Sequence, residues 1–301
     1  MSLKSNGVTL PIGADAGTKK KEGRLLYVWR RFKKNKSAMI GLVIFLIVVM
    51  MALTADLYLD YIADAITQHA DVRKQPPSAE HPFGTDQYGR DLFARIVYGA
   101  RMSILISFST TAMTLVAGSI IGAIAGFYGG RLDNIIMRVM DMLLAIPAIL
   151  LAITVMAALG PSLFNLILAL TISGIPANAR FLRSLILSIR DQEYIEAARA
   201  VGTSDFRIIT RHILPNTIGP LIVNSTLGVA SIILSAAGLS FIGLGIQAPT
   251  PEWGSMLSGA REFIIQSPHL VIFPGIAIVV TVLSINMLGD GLRDALDPRL
   301  K

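Results

Sequence analysis

Six runs of apolar residues, each long enough to cross a lipid bilayer, divide this chain: roughly 38–56, 102–126, 135–158, 164–182, 217–242 and 270–289. A helix needs about 20 such residues to traverse the ~30 Å hydrocarbon layer. Inside lipid, every backbone N–H and C=O must find its partner within the protein, so runs of this length commit the chain to spanning helices. Gly, Ser, Thr and Pro occur within several runs, and spanning helices tolerate them where neighbouring helices pack closely. The expected fold class is therefore an all-α membrane protein with six transmembrane helices. A basic tail occupies 1–37, the first span 38–56, an extracytoplasmic segment 57–100, a membrane core 101–290 and a second tail 291–301. The first run is read as a retained anchor, because a long polar segment precedes it and the run itself is span-length.

Charge sets the expected orientation. Ten Lys and Arg residues precede Ser37, among them Lys4, Lys19, Lys20 and Lys21. Short loops on the same side add Arg131, Arg183, Arg190, Arg199, Arg207, Arg211, Arg293, Arg299 and Lys301, against chiefly Arg73, Lys74, Arg90, Arg95 and Arg261 on the other. The positive-inside rule then places both termini in the cytoplasm. The net charge of +7 is mostly this asymmetry. A basic cluster abutting a span has anionic lipid, rather than nucleic acid, as its simplest partner. Lys21 to Phe32 sets Leu25, Val28, Trp29 and Phe32 at helical spacing opposite basic residues, the pattern of a helix lying among the headgroups; a basic linker is the alternative. There is no cysteine, so no disulfide or thiol chemistry.

The polar stretch EYIEAARAVGTSDFRIITRHILP, Glu193 to Pro215, lies between the fourth and fifth runs and must sit outside the lipid. Asp191 to Val201 contains good helix formers, with acids in the first turn where the helix dipole favours them. Gly202 follows as a helix stop in a left-handed conformation. Thr203 and Ser204 can cap a second helix with Asp205 in its first turn, ending at Leu214-Pro215. Ala197, Ala198 and Ala200 give the first helix a low-relief face able to enter a groove, and Glu193 and Glu196 offer carboxylates on one side. An ordinary solvated loop is the other reading of the same composition.

Elsewhere, Pro82 and Gly84 are expected to set a turn, with Asp86 and Arg90 pairing locally. Arg138 and Asp141, at i and i+3, are placed to pair near the cytoplasmic end of the third span, and Pro147 to loosen that helix. Asn178, Asn224 and Asn286 fall in or near later spans, where they either bond between helices or line a path. Trp253 suits the membrane interface.

Glu196-Ala197-Ala198, three residues, Gly202 and then Leu214-Pro215 together resemble the EAA loop of the membrane subunits of bacterial ATP-binding-cassette importers. His212-Ile-Leu-Pro-Asn216, with His where the general pattern has an isoleucine-like residue, is similar to the dipeptide/oligopeptide branch. So are His81 to Asp91 (HPFGTDxxGRD), Gly238 to Gly245 with the Pro-rich run to Trp253-Gly254, and the ending LGDGLRDALDPR at Leu288–Arg299. The motifs span nearly the whole chain and resemble the C-type permeases. The resemblance implies a type I importer permease of the bacterial or archaeal cytoplasmic membrane, paired with a homologous second permease. It implies two ATPase subunits that bind ATP and Mg, with no cofactor in this chain, and an extracytoplasmic binding protein that delivers di- or oligopeptides. The loop would couple to an ATPase through Glu193, Glu196, Ala197, Ala198 and Gly202. Nickel chelates and glutathione are alternative cargoes of such permeases.

The chain contains no G-x-x-x-x-G-K-[ST] phosphate loop, so it lacks the usual means to bind ATP. His69, His81, His212 and His269 are scattered, which argues against a metal site, and no nucleophile–base–acid set is recognisable. The chain reads as a transport subunit and not an enzyme. A proton- or sodium-driven carrier would require acids at mid-depth or broken helices in matching halves, and the sequence shows no such acid.

Overall fold

The structure, a computed structural model, describes residues 24–296. These form eleven α-helices: α1 (Arg24–Lys34), α2 (Lys36–Thr54), α3 (Leu92–Tyr128), α4 (Gly130–Leu144), α5 (Ala148–Leu159), α6 (Leu163–Leu187), α7 (Glu193–Ala200), α8 (Asp205–Ile208), α9 (Leu214–Phe241), α10 (Trp253–Ala260) and α11 (His269–Leu296). The only β pairing among the described residues is an isolated bridge, Thr85 with Asp91. The tail lysines before Arg24 and the Asp297–Arg299 end of the closing motif lie outside the described residues.

Helices α2, α3, α6 and α11, and α9 with the short α8 before it, are each long and apolar enough to cross a bilayer; α4 and α5 do so only together, meeting at 85°. The third span is thus not one loosened helix over 135–158. It ends at Leu144 and restarts at Ala148, with Pro147 extended at φ −52°, ψ 129°. Proline offers no N–H to the preceding turn, and its ring pushes Ile146 out of the helical region, so the two halves separate rather than flex. The second span is also longer than its apolar run: α3 has 37 residues, about 55 Å, against a hydrocarbon layer of ~30 Å.

The helices alternate in direction, so the α3–α4 elbow and the α6–α9 connection share one end of the bundle. The segments 55–91 and 242–268 share the other. The α3–α6 seam is the closest contact. Gly118, Gly122 and Gly126 repeat at four-residue intervals along α3, and small residues at this spacing let helix backbones approach. A Cβ added at Gly118 would stand 2.8 Å from Asn178 Cβ, one at Gly126 would stand 3.0 Å from Ile186 Cβ, and one at Gly122 would run into the carbonyl of Ala179. Asn178 is buried in this seam, and its carboxamide oxygen has no partner among the described residues. That oxygen therefore accepts no interhelical bond among the described residues, and Gly118 opposite leaves room for the side chain. Asn224 and Asn286 are half-buried.

A second core joins α2, α3, α9, α10 and α11 around Trp253, Leu270, Ile278 and Ile285. Trp253 is not at an interface: it is 1% exposed and donates its indole N–H to the Ile96 carbonyl at 3.0 Å. Burying the large ring is favourable only because the N–H finds this acceptor. Helix α1 lies against α11 and the start of α2 through Phe32, Ala38 and Ala295. Asn35 accepts from the Ala38 N–H to cap α2 and donates to Asp294 at 2.9 Å. Of the apolar face expected among the headgroups, Phe32 and Val28 instead pack on the bundle, while Trp29 is exposed, as are Leu26 and Tyr27.

Candidate functional site

The polar connection between α6 and α9 forms a knuckle rooted in the bundle. Its first helix, α7, begins at Glu193, with Glu193 and Glu196 in the first turn. It ends in a Schellman arrangement: the Gly202 N–H donates to the Arg199 carbonyl at 2.9 Å and the Thr203 N–H to the Ala198 carbonyl at 3.0 Å. Gly202 adopts φ +79°, where an L side chain is disfavoured. The expected helix, glycine turn and helix are present. Ser204 occupies the N-cap of α8, but its side chain makes no capping bond.

The second helix does not end at Leu214-Pro215. It widens into a π-helical stretch over Ile209–Ile213 and continues into α9, with Pro215 in the first turn. Pro215 has no N–H to give to the preceding turn, and π-type widening is one of the ways a continuous helix absorbs such a perturbation.

One side chain roots the knuckle. Ile195 is the only buried residue of α7, 0% exposed, and it packs among Phe127 of α3, Leu182 and Ile186 of α6, Ile208 of α8 and Ile213. Arg199 lies over the Phe127 ring at 5.1 Å. Just before α7, Arg190 reaches the elbow: its Nη1 donates to the Gly126 carbonyl at 2.9 Å and its Nε stands 3.3 Å from Asp191. The elbow turns at Gly129 and Gly130, both at positive φ (+66° and +59°), and a Cβ on Gly129 would stand 2.9 Å from Arg190 Nη1.

Helix α4 is clamped to α6 beside this root. Arg183 donates through Nε and Nη2 to the two oxygens of Asp133, both at 2.6 Å, and Arg180 pairs with Asp141. The expected local pair of Arg138 with Asp141 does not form; Arg138 is exposed on α4. Asp141 is taken instead by Arg180, which the packing of α6 beside α4 brings within reach; that contact uses one guanidinium nitrogen between two exposed side chains, so the placement of the helices and not the strength of the pair decides the partner.

Of the five residues expected to act, Glu193, Glu196, Ala197 and Gly202 are exposed together on the outer side, whereas Ala198 is half-buried and turned towards the core. An added Cβ at Gly202 would meet nothing within 4 Å. Sequence reasoning missed two neighbours. Val201 and Phe206 are 81% and 77% exposed on either side of the glycine turn. Two large apolar side chains flanking a polar turn, neither needed by the core, were the available signal. The knuckle thus presents carboxylates and bare apolar surface outward and is rooted inward through Ile195 among side chains of α3, α6 and α8.

At the opposite end, Asp86 and Arg90 pair at 2.6 Å, as the sequence predicts, and the turn at Gly84 has φ +81°.

Residues 118–301 match the family model of the binding-protein-dependent transport system inner membrane component, and residues 24–77 match the N-terminal TM domain of oligopeptide transport permease C. The dipeptide transport system permease protein DppC of Alkalihalophilus pseudofirmus is 50% identical over 91% of this chain and 89% of its own length. The glutathione transport system permease protein GsiD of Escherichia coli is 44% identical, over 91% of this chain and 90% of its own. The fold is similar to that of a chain in the inward-facing methionine ABC transporter MetNI, with a TM-score of 0.59 at 19% identity, over 68% of this chain and 98% of that one.

Proposed function

The chain belongs to the inner membrane components of binding-protein-dependent transport systems, and we propose that it moves di- or oligopeptides inward while ATP is hydrolysed on other subunits. It is the multi-pass permease subunit of an ABC importer of the inner membrane, and it is not an enzyme. ATPase subunits and a substrate-binding protein are its partners as a member of this family. In the finer reading, a homologous second permease completes the path as a heterodimer, and both termini and the knuckle face the cytoplasm. Two ATPases, carrying ATP and Mg, dock below. One of them receives Glu193, Glu196, Ala197 and Gly202, together with Val201 and Phe206. Ala198 supports that face from beneath.

The observation that carries this reading is the knuckle itself, which is exposed outside, fixed at Ile195 inside, and tied by Arg190 to the α3–α4 elbow. Closure of the ATPases would push on α7 and, through Ile195 and Arg190, tilt α3 and α6, changing which side of the membrane the path opens to. The coupling is mechanical, since a ligand shifts a two-state equilibrium only by its differential affinity for the states.

The test is transport and ATPase activity of the whole complex reconstituted in liposomes. Gly202→Asp and Glu196→Lys should insert normally, keep basal ATP hydrolysis and lose uptake. Wild-type uptake in both would remove the coupling role. Peptide cargo is preferred because the dipeptide permease is the more similar of the two relatives. Uptake of labelled glutathione but not of labelled dipeptide would reverse that choice.

A further inference from the structure

The end of the bundle opposite the knuckle gathers two buried arginines around a single aspartate. Asp86, Arg90 and Arg95 are 3, 2 and 4% exposed. The carboxylate is fully engaged. Its Oδ1 accepts the backbone N–H groups of Tyr88 and Arg90 at 2.8 and 3.0 Å. Its Oδ2 accepts Arg90 Nε at 2.6 Å and stands 3.4 Å from Arg95 Nε. Arg95 gives Nη1 to the carbonyls of Ala65 and Pro249 at 2.6 and 3.2 Å. Neither Nη of Arg90, nor Nη2 of Arg95, meets an acceptor among the described residues. Glu252, the other buried acid of this region, is occupied in capping α10 through the N–H groups of Gly254 and Ser255 at 2.8 Å each.

Two guanidinium groups thus share one carboxylate, and their remaining N–H donors are unpaired within the protein and open to solvent rather than enclosed, so an anion that entered beside them would find donors available. Arg90 and Arg95 line a cavity of about 170 Å³ whose wall also includes Gln87, Gln247 and Ser258. The Tyr88 ring lies against the Arg90 guanidinium, with its centroid 4.7 Å from Cζ. We propose that this cavity binds a carboxylate, received by the free amino groups of Arg90 with Arg95 behind them. A planar fork of parallel N–H donors matches the two oxygens of a carboxylate better than a spherical ion. The volume falls below the ~300 Å³ of sites that enclose a whole small molecule. It suits the end of a ligand, and the C-terminal carboxylate of a peptide is the chemistry that fits. The peptide source, though not the carboxylate site, rests on the proposed function.

The test uses the full chain in lipid nanodiscs, with thermal unfolding followed at constant ionic strength in acetate, glycylglycine, glycylglycinamide or chloride. A ligand of the folded state raises the unfolding temperature with concentration. Acetate and glycylglycine should do so, and the amide and chloride should not. R90K keeps the charge and a donor to Asp86 but loses the fork, and should weaken acetate binding at least tenfold. R90Q should abolish it; if R90Q does not fold, R90K alone decides. Equal stabilisation by chloride, equal stabilisation by the amide, failure of glycylglycine, or unchanged acetate binding in R90K would overturn the proposal. No ATPase takes part, so failure here leaves the transport reading untouched, and failure of Gly202→Asp to uncouple transport leaves this result standing.

Discussion

Replacing Ile195 by Ala should release α7 from the bundle without unfolding it. The side chain is 0% exposed, so the substitution removes three buried carbons. At about 0.8 kcal/mol per methylene that is roughly 2.4 kcal/mol, and the residual cavity brings the cost to about 3 kcal/mol. Little else compensates. Ile195 is the only buried residue of α7, and the contact of Arg199 with Phe127 contributes about 0.5–1 kcal/mol at such an exposed position. Because the loss is local, it should appear as easier opening of α7 rather than as global unfolding. Three kcal/mol corresponds to a roughly 100-fold shift in an opening equilibrium. Hydrogen–deuterium exchange in nanodiscs is the assay. Amides from Ala197 to Thr203 should exchange about 100-fold faster or lose protection entirely, while those in the centre of α6 keep wild-type rates. In the reconstituted complex, ATP hydrolysis should continue with uptake reduced. Acceleration of less than about threefold would mean that α7 is held by something other than this side chain, and the mechanical account would fail.

Gly202→Asn separates backbone from docking. Asn tolerates a left-handed conformation and nothing lies within 4 Å of the new Cβ, so stability should fall by less than about 1 kcal/mol. ATPase capture by the detergent-solubilised chain should nevertheless drop, and full capture would place residue 202 outside the contact. Arg183→Gln leaves Asp133, 7% exposed, without its fork and should cost about 2–3 kcal/mol in thermal unfolding. Adding Asp133→Asn should restore most of that loss, and strict additivity would show the pair to be independent. Burial pushes the Glu252 carboxyl above its ordinary 4.5, so the folded state retains a proton that the unfolded chain releases first. Stability should therefore fall as pH rises from about 4.5 through the raised value and stay level above it, and Glu252→Gln should flatten that slope.

Much of this architecture is legible in the order of residues because its causes are local. The length of each apolar run decides whether a helix crosses lipid, since the backbone must satisfy itself within the segment. Gly202 marks a turn because only glycine enters φ +79° without strain, and the pairing of Asp86 with Arg90 needs four residues and no distant partner. The small-residue spacing of Gly118, Gly122 and Gly126 is equally visible, although the helix it meets is not.

The sequence by itself therefore determined the helical class, the positions of most spans, the knuckle and the importer family. Only the tertiary structure decided which partners those local elements would take. Asp141 turned from Arg138 to Arg180, Asn178 was enclosed against Gly118, and the chain broke by 85° at Pro147 instead of bending. Ile195 became the root of the knuckle, and Arg95 was brought beside Asp86 and the Pro249 carbonyl, 154 residues away along the chain. Burial and long-range charge pairing depend on which faces meet, and a spacing rule reaches no further than the next turn of its own helix.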